Sequence, residues 1–165
     1  MIHLTIPGVP ISQDQAYESV TKGKGPKRIT VRRLSDEGHR YKKDVRAHVL
    51  RHYPEALNFF KPNFPYLLII SFCFDGWETL NNKSWLEEDP KKRAKTRYKR
   101  LDVSNRIKLF EDALAEAVGL DDNHNFFLGV GKTWSTEPAS TKVWAFNREE
   151  ERGNPVDDLL RQLTG

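Results

Sequence analysis

Residues 65–74 read PYLLIISFCF, an almost unbroken apolar run between polar segments. A run of this length is typical of a β-strand that is covered on both faces, because buried helices are usually longer. We therefore expect a central strand over 67–74. The chain has 165 residues, which is the size of one ordinary domain with one hydrophobic core.

The segments around this run predict a mixed sheet. Four further stretches have strand character: 2–6, 29–33, 126–133 and 141–146. The last two are expected to form a closing pair of strands, joined by a turn at Glu137-Pro138.

Two amphipathic helices are predicted from apolar residues that recur every three or four positions. The first follows Ser35, a suitable N-cap, and ends before Pro54. The second, 104–118, is expected to be capped by Ser104 and stopped by Gly119, and its apolar stripe comprises Val103, Ile107, Phe110, Leu114 and Ala117. We expect one α+β domain over 1–165, with a mixed sheet of four to five strands, two main helices, an insertion at 76–100 and a short C-terminal helix at 155–165.

Basic residues are concentrated in two segments, although the formal net charge is only +4. Such runs favour a polyanionic partner, but either one can also be a solvated surface loop. The residues expected to bind nucleic acid are Lys22, Lys24, Lys27 and Arg28 in the first segment, and Lys91, Lys92, Arg93, Lys95, Arg97, Lys99 and Arg100 in the second. We expect the first segment to be a mobile loop over 22–33.

The single cysteine and the hydropathy pattern limit the cellular compartments in which this protein is expected. Cys73 is the only cysteine, so an internal disulfide is excluded and a buried, reduced thiol is expected. The N-terminal sequence MIHLTIPGVP lacks the basic head and apolar stretch of a secretion signal, and no window approaches the length of a membrane span. We expect a cytoplasmic protein that does not associate with membranes.

Side chains that could take part in catalysis are most concentrated over 100–124, which reads RLDVSNRIKLFEDALAEAVGLDDNH. Asp102 precedes the second helix, Asn105, Lys108 and Asp112 share a polar face of it, and Asp121 and Asp122 follow it. Carboxylates of this kind can hold Mg²⁺ against a phosphodiester, and a nearby lysine can offset charge that develops on the phosphate. The same pattern also fits a helix cap and a solvated helix face.

This segment resembles the core of the RusA family of Holliday-junction resolvases, which reads Asp-Leu-Asp-Asn-x-x-Lys, then Leu/Phe-Asp-Ala-Leu, then a Gly-containing turn and Asp-Asp. The matching residues are Asp102, Asn105, Lys108, Asp112-Ala113-Leu114 and Asp121-Asp122. Upstream, the chain is similar to the family in its Pro-containing turn at 6–10 and in Ser35-x-x-Gly38-x-x-Tyr41.

The resemblance implies a homodimer that cuts branched DNA by paired nicks with Mg²⁺, or with Mn²⁺ in its place. It implies catalytic roles for Asp102, Asn105, Lys108 and Asp122, and metal binding by Asp102, Asp121 and Asp122. One departure is Ser104, which stands where the family has a second aspartate; Asp75 is a candidate substitute, although it can equally be a turn residue at a strand end. Loss of that carboxylate leaves open a DNA-binding protein with weak or no nuclease activity, and a generic RNA-binding module is a third alternative.

The length of the second helix constrains any shared metal site. A helix over 104–118 rises roughly 20 Å, so Asp102 and Asp122 begin at opposite ends of it. Either the site is shared between two subunits, or the helix ends early, near Ala115.

Overall fold

The computed structural model describes residues 1–23, 28–62, 64–75, 102–120, 125–134 and 136–147. It confirms an α+β fold with a mixed sheet and two long helices. In chain order the elements are β1 (Ile2–Pro7), α1 (Gln13–Ala16), β2 (Tyr17–Lys22), β3 (Ile29–Leu34), α2 (Asp36–His52), α3 (Ala56–Phe59), β4 (Tyr66–Phe74), α4 (Ser104–Val118), β5 (Asn125–Trp134) and β6 (Ser140–Asn147). The expected insertion at 76–100 and the expected helix at 155–165 lie outside the described residues.

The central strand is confirmed as β4. The four-stranded sheet has the order β1-β6-β4-β5, and every residue of β4 except Ile69 is buried. β4 is antiparallel to β6 and parallel to β5. Strands with neighbours on both edges and cover on both faces need apolar side chains throughout, which explains the unbroken run in the sequence.

The expected pairing of the last two strands is wrong. β5 and β6 both exist, but β4 lies between them and pairs with each. The turn residues at 137–138 mark a chain reversal, but they do not specify which strand lies next to which. The most apolar strand takes the centre because that position removes most apolar surface from water.

Both long helices begin at the same edge of the sheet. β1 is antiparallel to β6, so β1, β4 and β5 run in one direction and end at one edge, here called the carboxyl edge. The α4 helix connects the parallel strands β4 and β5 and runs back against them, with Phe110 packed edge-on to Phe72 at 6.2 Å. The α2 helix also opposes β1, because Tyr41 lies beside Gly8 and His48 lies beside Thr5. The positive ends of both helix dipoles therefore lie at the carboxyl edge.

The ends of α4 are largely as expected. Its five predicted apolar residues all belong to the core or pack against it. Gly119 has a φ of 74°, and the Leu120 N–H donates to Ala115 O at 2.9 Å, which closes the last turn. The alternative of an early end near Ala115 is wrong, since the helix continues to Val118.

The first basic segment is mainly a hairpin rather than a loop. The strand predicted at 29–33 is confirmed as β3, and it pairs with β2, which the sequence pattern did not predict. Most residues of β2 are exposed, so its sequence lacks the alternation of apolar and polar residues by which a strand is predicted. Lys22 is the last residue of β2, and residues 24–27 lie outside the described residues.

The hairpin is fastened at its base to the first turn of α2. The Ser35 N–H donates to Ala16 O at 2.8 Å, and Ser35 Oγ donates to Gln15 O at 2.7 Å. Ser35 Oγ also accepts from the Gly38 N–H at 3.1 Å, which confirms the predicted N-cap. A Cβ at Gly38 would lie 2.7 Å from Ala16 O and 2.6 Å from Leu34 Cδ1. Glycine is therefore required here by close packing, and the hairpin extends from the carboxyl edge.

Replacing Gly38 with alanine should destabilise the protein by about 1–3 kcal/mol, because the methyl group would overlap a backbone carbonyl. Intrinsic helix propensity acts in the opposite direction and favours alanine by about 1 kcal/mol. Urea unfolding of G38A and wild type measures the difference. G131A is the control, because a Cβ at Gly131 meets nothing within 4 Å. A G38A protein as stable as wild type would show that the hairpin is not packed against α2 in this way.

Candidate functional site

Asp102 lies at the start of α4 and accepts hydrogen bonds from its first turn. Oδ1 accepts from Ser104 Oγ at 2.6 Å, from the Ser104 N–H at 3.0 Å and from the Asn105 N–H at 3.4 Å. Oδ2 accepts from Asn105 Nδ2 at 2.8 Å. The predicted cap was Ser104, and that assignment is wrong: Asp102 satisfies the free N–H groups, and the Ser104 hydroxyl donates to the same carboxylate.

These contacts keep the Asp102 carboxylate ionised. The Ser104 hydroxyl is the largest cause that holds the pKa of Asp102 below its usual value, and the backbone N–H groups of Asn105 and Ser104 act in the same direction. The ammonium of Lys132, near the end of β5, also lowers the pKa. Asp102 is therefore an exposed, oriented negative charge at the carboxyl edge.

A second polar group lies farther along the exposed face of α4. Lys108 Nζ contacts Asp112 Oδ1 at 2.9 Å, and the Tyr17 hydroxyl donates to Asp112 Oδ2 at 3.3 Å. Burial and the neighbouring Asp112 carboxylate raise the pKa of Tyr17, so its hydroxyl remains a donor. Of the three residues expected on one face, Lys108 and Asp112 contact each other, and Asn105 contacts Asp102 instead. Tyr17 was not predicted, because its partner Asp112 is 95 positions away in the chain.

The hairpin of β2 and β3 and the segment that follows β1 both lie against α4. Arg32 lies over the Tyr17 ring, with its guanidinium carbon 5.0 Å from the ring centre. Arg106 Nη1 donates to Pro10 O, which joins the first turn of α4 to the chain that follows β1. The hairpin therefore supports Asp112 through Tyr17, and the segment after β1 is joined to the first turn of α4 through Arg106.

The predicted residues Asp121 and Asp122 lie outside the described residues. Their described neighbours are Leu120, at the end of α4, and Asn125, which pairs with Tyr66 at the beginning of β4. Both neighbours are at the opposite end of α4 from Asp102, and a helix of 15 residues is about 21 Å long. Within the described ranges, no three His, Cys, Asp or Glu side chains form a group that could hold a metal ion. Asp75 follows β4 directly and is exposed at the carboxyl edge, as Asp102 is.

Few of the predicted nucleic-acid-binding residues can be placed. Lys22 ends β2 and Arg28 precedes β3, and both are exposed on the hairpin. Arg33 of the same hairpin pairs with Glu18 at 2.7 Å. The remaining predicted residues, Lys24, Lys27, Lys91, Lys92, Arg93, Lys95, Arg97, Lys99 and Arg100, lie outside the described residues.

The fold and the polar group define an α+β protein with an ionised, exposed carboxylate beside basic side chains at one helix start. The family model of endodeoxyribonuclease RusA matches residues 7–143, which is most of the chain. The chain belongs to the RusA endodeoxyribonuclease family, and the resemblance seen in the sequence is confirmed. A comparison with curated proteins gave no match. No helix in the described part of the chain is long and apolar enough to span a membrane.

Replacing Ser104 with alanine should raise the pKa of Asp102 toward its usual value, because the strongest donor to Oδ1 is removed. An NMR titration of the side-chain carboxyl carbon measures the change. S104T is the control, since it keeps a hydroxyl at this position and should keep the low pKa. An Asp102 pKa that is the same in S104A and wild type would exclude the hydroxyl as its main cause.

Proposed function

We propose that this protein is a magnesium-dependent, structure-selective endodeoxyribonuclease that acts in the cytoplasm as a homodimer and resolves Holliday junctions or related branched DNA by paired nicks. Membership of the endodeoxyribonuclease family carries this proposal. The ionised Asp102 at the start of α4 supports it, because DNA-cutting sites that use a hard cation need oriented carboxylate oxygens.

The donor set at Asp102 suits Mg²⁺ or Mn²⁺. Oδ1 already accepts three hydrogen bonds, whereas Oδ2 accepts one and keeps a lone pair for a cation. Mg²⁺ commonly uses only one or two protein carboxylates, together with water and substrate phosphate oxygens. We assign the further ligands to Asp121 and Asp122. When bound, the ion would polarise the scissile phosphate and lower the pKa of an attacking water.

The neighbouring side chains hold the reacting groups in place. Asn105 fixes the plane of the Asp102 carboxylate through its bond to Oδ2. Lys108 is half-exposed and can reach a phosphate in front of α4, where its charge would offset the charge of the transition state. Asp112 and Tyr17 limit the positions that the Lys108 ammonium can occupy.

A second candidate function follows from Ser104. Its hydroxyl donates to Asp102, so it orients the existing carboxylate and does not replace the missing one. With one carboxylate fewer than the family pattern, the protein could bind branched DNA and cut it weakly or not at all. Nicking of a synthetic four-way junction by the purified protein in Mg²⁺ separates the two functions.

Substituting Asp102 or Asp122 with asparagine should abolish nicking and leave junction binding intact or stronger, because less negative charge would face the phosphates. K108A should lower the nicking rate by about 100-fold or more if the lysine stabilises the transition state. Cleavage assays and binding titrations on the same four-way junction give both quantities. E55Q, which removes an exposed acid just after the far end of α2, is the matched control. Near-wild-type nicking by D102N or D122N would reject the assigned site.

The length of α4 supports a site that is shared between subunits. Asp102 lies at one end of the helix, and Asp122 follows Leu120 by two residues, which span at most about 7 Å. That reach is short of the roughly 21 Å length of the helix, whereas ligands of one Mg²⁺ must all lie about 2.1 Å from it. In a two-fold dimer, Asp102 of one subunit could face Asp121 or Asp122 of the partner subunit.

Mixing D102N and D122N proteins tests this arrangement. With shared sites, each mixed dimer carries one doubly damaged site and one intact site, so single nicks should reappear. With sites confined to one chain, both sites of the mixed dimer stay damaged. Subunit exchange is verified first with differently tagged copies of the protein. Failure to recover nicking after proven exchange would contradict the shared site.

A further inference from the structure

Beyond its first turn, which contains Asp36 and Glu37, the exposed side of α2 is mainly basic, and neither of the two basic segments described above includes it. Between positions 40 and 51 the helix has one acid, Asp44, and five basic residues: Arg40, Lys42, Lys43, Arg46 and Arg51. The whole chain has 27 basic and 23 acidic residues, so this excess is local. A helix face that is simply solvated usually mixes charges of both signs.

The direction of these side chains follows from the buried face of the helix. Val45 and Val49 point into the core, which leaves Arg40, Lys43 and Arg51 on the opposite, exposed crest. Within the described part of the chain, none of these three forms a salt bridge. The basic crest is therefore available to an external anion.

The side of α2 that faces α4 is also short of negative charge. Lys42 Nζ pairs with Glu116 Oε2 at 2.7 Å. This bond is the main reason that the pKa of Glu116 is below its usual value, and Arg46 and His39 act on it in the same direction. The Glu116 carboxylate of α4 thus faces three basic side chains of α2.

The position of α2 relates this surface to the cutting site. The helix begins at the carboxyl edge, where Asp102 lies, and it packs alongside α4. The rise from Arg40 to Arg51 is about 16 Å, and phosphates along one DNA strand advance about 3.4 Å each, so the crest could follow roughly five of them. Duplex DNA that leaves the site could therefore lie along α2.

We propose that the crest of α2 (Arg40, Lys43 and Arg51) binds the phosphate backbone of one duplex arm of the branched substrate. This inference rests on the proposed function and adds a docking surface that takes no part in bond cleavage. The contacts are to phosphates, so binding through α2 does not depend on base sequence.

The test is the salt dependence of junction binding by K43Q and by the double variant R40Q/K43Q. Each lost phosphate contact should flatten the slope of log affinity against log salt by about 0.9, so the double variant should lose nearly 2. K61Q is the matched control, because Lys61 is exposed beyond the opposite edge of the sheet, before β4, and should leave the slope unchanged. The rate of nicking at saturating junction should be the same in all variants.

The outcomes separate this inference from the proposed function. A wild-type slope in R40Q/K43Q, or an equal change in K61Q, overturns the role of α2, whether or not the protein cuts DNA. A flattened slope in a protein that does not nick supports the arm contact and rejects the proposed nuclease activity. Wild-type protein that neither binds nor cuts the junction overturns both. Circular dichroism and urea unfolding of each variant confirm that the exposed substitutions leave the fold intact.

Discussion

The parallel pairing of β4 with β5 is the constraint on which the rest of the structure depends. Parallel neighbours cannot be joined by a tight turn, so the chain must return across one face of the sheet before β5 begins. The α4 helix makes that return, and its apolar stripe covers the central strand. The start of α4, with Asp102, is consequently placed at the carboxyl edge, and the end of α4 at the other edge.

Asp102 has a structural role at the start of α4 and is also the residue to which we assign the metal. Its carboxylate satisfies N–H groups that would otherwise be unpaired at the helix start, and the same hydrogen bonds orient it and keep it ionised. A helix cap and a metal ligand are therefore compatible roles for this residue. Ser104 belongs to the same arrangement as a donor, which is a different role from that of the carboxylate in the family pattern.

Basic side chains lie near the carboxyl edge of the sheet on more than one element. The hairpin of β2 and β3 is anchored to the first turn of α2 through Ser35 and the close approach at Gly38, and it places Arg32 beside Tyr17. The α2 helix presents a further basic surface beside α4. The hairpin is anchored to α2, α2 packs against α4, and Tyr17 of the hairpin donates to Asp112 of α4, so contacts between these elements set the position of the acidic group relative to the cations.

The sequence by itself determined the class of fold, the central strand, both long helices and the family, because these depend on local apolar periodicity and on motif spacing. Gly119 as the end of α4 and Ser35 as the cap of α2 were predicted for the same reason. Only the tertiary structure decided that β4 separates β5 from β6 and that Tyr17 supports Asp112. The order of strands and contacts between distant residues depend on which packing buries most apolar surface and satisfies most polar groups at once, and that is a property of the whole chain.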